Sequence, residues 1–282
     1  MHAKRLWRRW YRYGHALAIT IAIALLLGFP VRGTAADPIK IGGSGSTLGT
    51  MQLLAEAFAK QDPEFRATIV PNLGSSGGIR ALAAGAIGLA ATSRPLKEEE
   101  RKLGLAEIEY GRTPFVFAVA TRSKFTAITL RQLADIYGGK TASWPDGTPV
   151  RLVLRPASDI DTDMVKSVSP ELRQALSVAE QRPGVAFSVT DQDAANDMEK
   201  IPGAIGPSSL ALILAEKRPL RALKLDGVEP TVGNIASGAY RYYKRMFLVI
   251  GAKRPPAVQR FIDFVRSPAG RKILTQTGHW IS

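Results

Sequence analysis

Two stretches of this 282-residue chain carry residue types that hold an anion without reacting with it. The first is Ile39-Lys40-Ile41-Gly42-Gly43-Ser44-Gly45-Ser46-Thr47. The second is Ile69-Val70-Pro71-Asn72-Leu73-Gly74-Ser75-Ser76-Gly77-Gly78. Each reads as a short apolar strand, a Gly/Ser turn and a helix start. Glycine lets a backbone approach a ligand closely. A helix N-terminus offers free N–H groups and a partial positive charge, and Ser/Thr hydroxyls add donors. Neither stretch is a Walker A loop or a Gly-x-Gly-x-x-Gly fingerprint. A single loop of this kind is an ordinary βα turn; two in the first half of one α/β unit favour anion binding.

Composition removes other chemistries. There is no cysteine, which excludes thiolate nucleophiles, iron–sulfur clusters and Cys-based zinc sites. The histidines are His2, His15 and His279, and the first two fall in a segment that reads as a leader. One remaining histidine argues against a Ser-His-Asp triad or a multi-histidine metal site. No metal and no cofactor are expected. Asp159, Asp161 and Asp163 alternate as in a calcium loop, but Met164 stands where an EF-hand has Gly and Pro170 where it has its closing Glu.

The elements that must position the loops follow from pattern. Strands are expected at Ile39–Ile41, Arg66–Val70, Ile87–Ala91, Pro114–Thr121, Val150–Leu154, Ala204–Gly206 and Arg245–Ile250. Thr50 to Gln61 has helical spacing, with Met51, Leu54, Ala55 and Phe58 on one face. Gly78 to Ala86 and Pro95 to Lys102 read as short helices. Thr129-x-x-Gln132 and Thr190-x-x-Asp193 look like capping boxes, and Ser169-Pro170 and Ser267-Pro268 put Ser at the N-cap and Pro at N1. The alternation predicts an α/β fold with mainly parallel sheet.

The N-terminus reads as an export signal, residues 1–36. Lys4, Arg5, Arg8, Arg9 and Arg12 precede an apolar run from Ala16 to Phe29, and Thr34-Ala35-Ala36 supplies small residues for cleavage. An uncleaved anchor is the alternative. Without this segment 32 Lys+Arg face 24 acidic residues, so the net charge of +14 falls to about +8. That suits an anionic ligand. No basic run interleaved with aromatics remains, which argues against nucleic acid.

The ordered set of motifs resembles the phosphate-binding proteins of bacterial ABC phosphate importers. Gly43-Ser44-Gly45-Ser46-Thr47 and Gly74-Ser75-Ser76-Gly77-Gly78 look like that family's two loops, and Ala91-Thr92-Ser93-Arg94-Pro95-Leu96 like the segment after them. The likeness continues through Leu130-x-x-Leu133-x-x-Ile136-Tyr137-x-Gly139-Lys140, Trp144, Arg155, Pro202-Gly203-Ala204-Ile205-Gly206 and Tyr240 to Ile250. It implies a two-lobed periplasmic-binding-protein fold (type II-like) with the ligand cleft between lobes. One lobe would be 37–117 and 232–282, the other 118–231. It further implies a periplasmic monomer that closes by a hinge and delivers its anion to an inner-membrane permease. Ligand contacts are expected at Ser46, Thr47, Leu48, Ser75, Ser76, Gly77, Ser93, Arg94, Arg155, Ser158 and Thr162.

Two positions depart from the family pattern. Arg94 stands where the family has Asp, and arginine has donors but no acceptor. It either pairs with a fully ionised oxyanion or points into a surface ion pair. After Arg155 the family has Ser-Gly-Thr, whereas this chain reads Ser158-Asp159-Ile160-Asp161-Thr162-Asp163. These acids would repel an anion, and as helix caps they are unremarkable. Lys244-Arg245 is expected to border a strand in solvent, Tyr240, Tyr242 and Tyr243 to pack, Trp144 to anchor a turn, and His279-Trp280 to dock the chain end.

The expectation is an exported, non-enzymatic solute-binding protein for phosphate or a related small oxyanion. The alternative is a sensor or interaction protein that keeps the fold and has lost tight phosphate binding. A phosphate-ester hydrolase fits less well, given the shortage of histidine.

Overall fold

The computed structural model describes residues 37–281, apart from Asn72 and the side chain of Ala186. The expected export signal lies outside the described residues. Among those residues no helix is long and apolar enough to cross a membrane.

In chain order the elements are β1 (Ile39–Gly43), α1 (Gly45–Ala59), β2 (Ala67–Ile69), α2 (Gly74–Ala83), β3 (Leu89–Thr92), α3 (Glu98–Arg101) and the long β4 (Ala106–Ala120). β5 (Ala127–Ile128), α4 (Leu130–Tyr137), β6 (Arg151–Leu154), α5 (Ile160–Val168), α6 (Pro170–Glu180), β7 (Ala186–Phe187) and α7 (Asp191–Lys200) follow. The rest are β8 (Ala204–Ser209), α8 (Leu210–Ala215), β9 (Leu220–Ala222), β10 (Lys224–Leu225), α9 (Val232–Ala236), β11 (Tyr243–Ile250), α10 (Pro256–Arg266) and α11 (Pro268–Gln276).

The main sheet runs β2-β1-β3-β11-β4-β8-β6-β7, with β9 also on β4. Its two ends are parallel: β1 with β2 and β3, and β6 with β7 and β8. Its middle is antiparallel, because β11 returns against both β3 and β4, and β4 pairs antiparallel with β8. The sequence pattern predicted mainly parallel sheet and did not reveal this antiparallel centre. β4 and β11 are the two strands that serve both ends of the sheet, and each is long enough to do so.

The fold is accordingly two-lobed α/β. One end packs Met51, Leu54, Phe58, Phe65, Leu248, Phe261 and Phe264 into a core, with Ile79, Leu82 and Ile87 on the other face of the same strands. The other end packs Phe117, Leu133, Tyr137, Leu154, Leu172 and Ile205 on one face and Val153, Ala195, Met198 and Leu212 on the other. Phe58 meets Phe65, Phe264 and Phe261 at ring-centroid distances of 4.7, 5.1 and 6.0 Å. Full burial of a Phe stabilises by roughly 1.5–3 kcal/mol, so this aromatic cluster is a main tie between α1 and α10.

Both Gly/Ser stretches are already helix where turns were expected. α1 begins at Gly45 rather than Thr50, and α2 at Gly74 rather than Gly78. Five of the first five residues of α2 are Gly or Ser, poor helix formers. Tertiary packing overrides propensity there. A Cβ on Gly78 would lie 2.7 Å from the Gly43 Cα, so only glycine lets α2 lie this close to β1. The four capping signals are all realised: Thr129, Ser169, Thr190 and Ser267 each accept a backbone N–H from the first turn of α4, α6, α7 and α11.

Candidate functional site

The ends of β1 and β3 and the helix starts beside them bring the first group of side chains together. Gly43 has φ +143°, and a Cβ there would sit 1.9 Å from the Ala91 carbonyl oxygen. The chain can turn from β1 into α1 at that point only with glycine. Ser44 then donates its N–H to the Ala91 carbonyl (2.9 Å). Its hydroxyl accepts from the Ser93 hydroxyl (3.0 Å), which in turn lies 3.3 Å from the Ser75 hydroxyl. Ser93 N–H also donates to Ser75 Oγ (3.1 Å). Ser44, Ser75 and Ser93 therefore form one buried hydroxyl chain at the N-termini of α1 and α2.

Other expected positions in this region serve the loops themselves. The Thr47 hydroxyl donates to the carbonyls of Ser44 (2.7 Å) and Ala91 (3.3 Å), and Leu48 is buried. Ser76 and Gly77 are half-buried in the first turn of α2. Arg94 donates to both Glu100 oxygens (2.8 and 2.7 Å), to the Pro95 carbonyl and to Ser76 Oγ (2.9 Å). Its guanidinium thus clamps α2 to α3. The guanidinium beside Glu100 also holds that carboxyl below its ordinary range, against the opposing effect of burial.

A second group spans the two cores. Arg155 follows β6 and its side chain is 1% exposed. It donates to the Ser188 carbonyl (2.5 Å) and to Asp159 Oδ2 (2.8 Å), and lies 3.5 Å from Asp191 Oδ2. Its Nε–H has no hydrogen-bond partner among the described residues. Asp159 caps α5, accepting the Asp161 N–H at 2.9 Å. Asp191 is the first residue of α7, and its Oδ1 accepts from the Ser46 hydroxyl of α1 at 2.7 Å. Lys244 of β11 donates to the same Ser46 oxygen at 2.9 Å and contacts the Asp161 carboxylate. The Lys244 and Asp161 side chains are 0% and 1% exposed. Thr162 is turned away, donating to the carbonyls of Arg155 (3.0 Å) and Pro156 (2.9 Å), while Ser158 is exposed.

This cluster sets two cations, Arg155 and Lys244, against three carboxylates, Asp159, Asp161 and Asp191. Burial, together with the neighbouring Asp161 and Asp191 charges, pushes the Asp159 carboxyl up to about 6; Arg155 opposes that shift. Chemically the arrangement is a set of hydroxyl, ammonium and guanidinium donors with carboxylate acceptors among them. Nothing in it is set up as an activated nucleophile.

The sequence placed Ser46 and Arg155 in the site, and the structure joins them through Asp191. It missed four members. Lys244 was expected in solvent and is buried instead. The strand period gave a signal for that: Lys244 shares its face with Met246 and Leu248, both at 0% exposure. Asp159 and Asp161 were read only as parts of a helix cap. Asp191 had no signal of its own, because one position past a capping threonine is a common place for an acid. Tyr240 packs as expected, its hydroxyl donating to the Phe115 carbonyl at 2.9 Å. Trp144 donates to the Gly203 carbonyl at 2.9 Å and stacks on Phe125.

Comparison with known proteins bears on the family and the fold. A family model described as a PBP superfamily domain matches residues 30–269. The phosphate-binding protein PstS of Bacillus subtilis is 25% identical, over 87% of this chain and 81% of that protein. The protein SphX of Synechococcus elongatus is 26% identical, over 91% and 82%. Among solved structures, a putative phosphate ABC transporter substrate-binding protein from Clostridium perfringens with bound phosphate has a TM-score of 0.73 at 25% identity. That match covers 87% of this chain and all of the other. An ABC-type phosphate transport receptor from Vibrio cholerae shares the fold with a TM-score of 0.61 at 23% identity, over 86% and 100%. This chain belongs to the PBP superfamily domain family, alongside relatives named as phosphate-binding proteins.

Proposed function

We propose that this chain is an exported solute-binding protein that captures phosphate or a related small oxyanion for an ABC importer. The observation that carries the reading is the convergence of two helix N-termini and the Ser44–Ser93–Ser75 hydroxyl chain at the ends of β1 and β3, with Ser46 of the same helix start linked through Asp191 to buried Arg155. A fixed guanidinium that keeps one unpartnered donor, its Nε–H, near the first turns of α5 and α7 can offer that donor to an oxyanion. The names of the relatives point to phosphate as the first ligand to test.

In this reading Ser46, Thr47 and Leu48 contribute from the start of α1, and Ser75, Ser76 and Gly77 from the start of α2. Ser93 contributes from β3's end and Arg155 from the second lobe. Arg94, Ser158 and Thr162 support or flank the site. The lobes are residues 37–117 with 232–282, and 118–231. The protein works without covalent chemistry, as a periplasmic monomer that closes on its ligand and presents it to an inner-membrane permease.

A second reading is favoured by the three carboxylates around Arg155 and Lys244: a sensor or interaction protein of the same fold without tight phosphate binding. Calorimetric titration of phosphate into the purified protein separates the two. Saturable one-to-one binding supports the receptor. A folded protein that takes up no phosphate supports the sensor.

A further inference from the structure

The second cluster joins two hydrophobic cores, and every partner in it is supplied by this chain. Ser46 stands on α1, which packs into the core with Phe58 and Phe261. Asp161 and Asp191 open α5 and α7 on the other side of the molecule. Lys244 stands on β11, whose strand neighbours Met246 and Leu248 belong to the first core. The bridge from Lys244 to Ser46 (2.9 Å), from Ser46 to Asp191 (2.7 Å) and from Lys244 to Asp161 therefore ties one core to the other. Gln192 adds a direct tie, donating to the Gly45 carbonyl at 3.1 Å. α1 also lies against α8 closely enough that a Cβ on Gly49 would meet the Ala215 Cβ at 3.1 Å.

Charge decides what this bridge means for a ligand. A carboxylate is itself an oxyanion and takes the same donors as one edge of a phosphate. Here carboxylates already accept from the Ser46 hydroxyl, the Lys244 ammonium and the Arg155 guanidinium. They outnumber the cations three to two. Adding a mono- or dianion to that buried cluster would leave negative charge uncompensated, which is costly away from water. Because the carboxylates are tethered, they compete at an effective concentration on the order of millimolar or above.

We propose that Asp161 and Asp191 are internal ligands of the oxyanion donors, an autoinhibitory latch that holds the two cores together until a solute oxyanion displaces it. The displacement half rests on the oxyanion reading above; the latch half does not. The latch keeps the ligand-free protein compact. It also lowers apparent oxyanion affinity by the fraction of molecules it holds latched.

Two measurements on the purified protein test this. Asp191→Asn removes the charge while keeping the shape. Ser46→Ala removes only the hydroxyl of the bridge and serves if Asp191→Asn does not fold. Small-angle scattering without added anion is expected to show a compact wild type and a larger radius of gyration for Asp191→Asn, with a smaller change in the same direction for Ser46→Ala. Calorimetric titration of inorganic phosphate is expected to give at least tenfold tighter binding to Asp191→Asn than to wild type. Identical scattering from folded variants would overturn the latch. Phosphate affinity that is equal or weaker in Asp191→Asn would overturn the displacement. Expanded variants in a protein that takes no phosphate in any form would leave the latch standing and remove the oxyanion reading.

Discussion

The ammonium group of Lys244 and the carboxylate of Asp161 lie in contact, with both side chains shut off from solvent. The two residues come from different parts of the fold, β11 and the first turn of α5. Sequence patterning put Lys244 in solvent and read Asp161 as part of a helix cap. Their contact, extended by Ser46, Asp191 and Arg155, links two hydrophobic cores into one electrostatic unit.

Arg155 is the residue on which that unit turns, since it reaches Asp159, Asp191 and the Ser188 carbonyl with almost no exposure. Arg155→Met would leave Asp159 and Asp191 without their guanidinium in a buried setting. Removing one partner of a buried pair costs roughly 3–5 kcal/mol. Denaturant unfolding is expected to show a loss of that size, together with loss of oxyanion binding at the stability-matched condition. A folded Arg155→Met protein that binds phosphate like wild type would remove Arg155 from the site.

Arg94 is expected to matter for structure and not for selectivity. It holds Glu100 with both nitrogens and reaches Ser76 on the far side. Its Glu100 partner is 14% exposed, so the pair is only partly screened. Arg94→Asp should weaken the protein by about 1–3 kcal/mol through the lost charge-assisted hydrogen bonds. The phosphate-to-sulfate affinity ratio should stay where it is. A ratio that moves tenfold in a folded Arg94→Asp protein would place Arg94 against the ligand.

Gly78→Ala tests the close approach of α2 to β1. The new Cβ would come within 2.7 Å of the Gly43 Cα, and that neighbour is backbone with nowhere to move. The expected loss is about 1–3 kcal/mol, typical of overpacking. Because α2 carries Ser75, oxyanion affinity should fall alongside. A neutral Gly78→Ala would mean that α2 can shift without consequence.

One buried group, His279, and one half-buried group, Asp159, give stability opposite pH dependences. Burial pushes His279 down to about 4, and its Nδ1 lies 3.2 Å from the Leu274 carbonyl, which places the proton of the neutral ring on Nδ1. Its contribution is present above the ordinary value of about 6.5 and is lost as pH falls through about 4. Asp159, raised to about 6, does the reverse: its contribution is present below 3.8 and is lost as pH rises through about 6. In wild type the two slopes oppose each other between about 4 and 6. Single variants expose them. His279→Asn should become less acid-sensitive by about 3 kcal/mol across that range, on the order of two pKa units of linkage. Asp159→Asn should become more acid-sensitive. Unfolding free energies at pH 4, 5, 6 and 7 check both signs, and a His279→Asn curve parallel to wild type would contradict the first.

How far this could be read from the sequence depends on the kind of signal. Capping chemistry is local, and Thr129, Ser169, Thr190 and Ser267 all cap the helices their spacing predicted. The apolar face of α1 was legible for the same reason: Met51, Leu54, Ala55 and Phe58 repeat at helical spacing and are all buried. Helix starts at Gly45 and Gly74 were not, because glycine and serine there adopt helix only under packing from β1 and β3. The antiparallel centre of the sheet was hidden as well, since pairing of β11 with β3 and β4 joins segments far apart in sequence. The site divided along the same line. Loop donors show in short Gly/Ser patterns. The link from Lys244 to Ser46 spans 198 positions and that from Ser46 to Asp191 spans 145, and neither leaves a local trace.

Oxyanion capture is the central proposal for this chain. The most direct measurement is a thermal-unfolding titration of the purified protein with phosphate, sulfate, arsenate and molybdate against a chloride control. A ligand that binds only the folded state adds about 2.7 kcal/mol at a hundredfold excess over its Kd, which for a protein of this size is a rise of several degrees in Tm. Such a rise is expected with phosphate or another of the oxyanions, saturating with concentration and absent with chloride. Unchanged unfolding temperatures with all four oxyanions would contradict it.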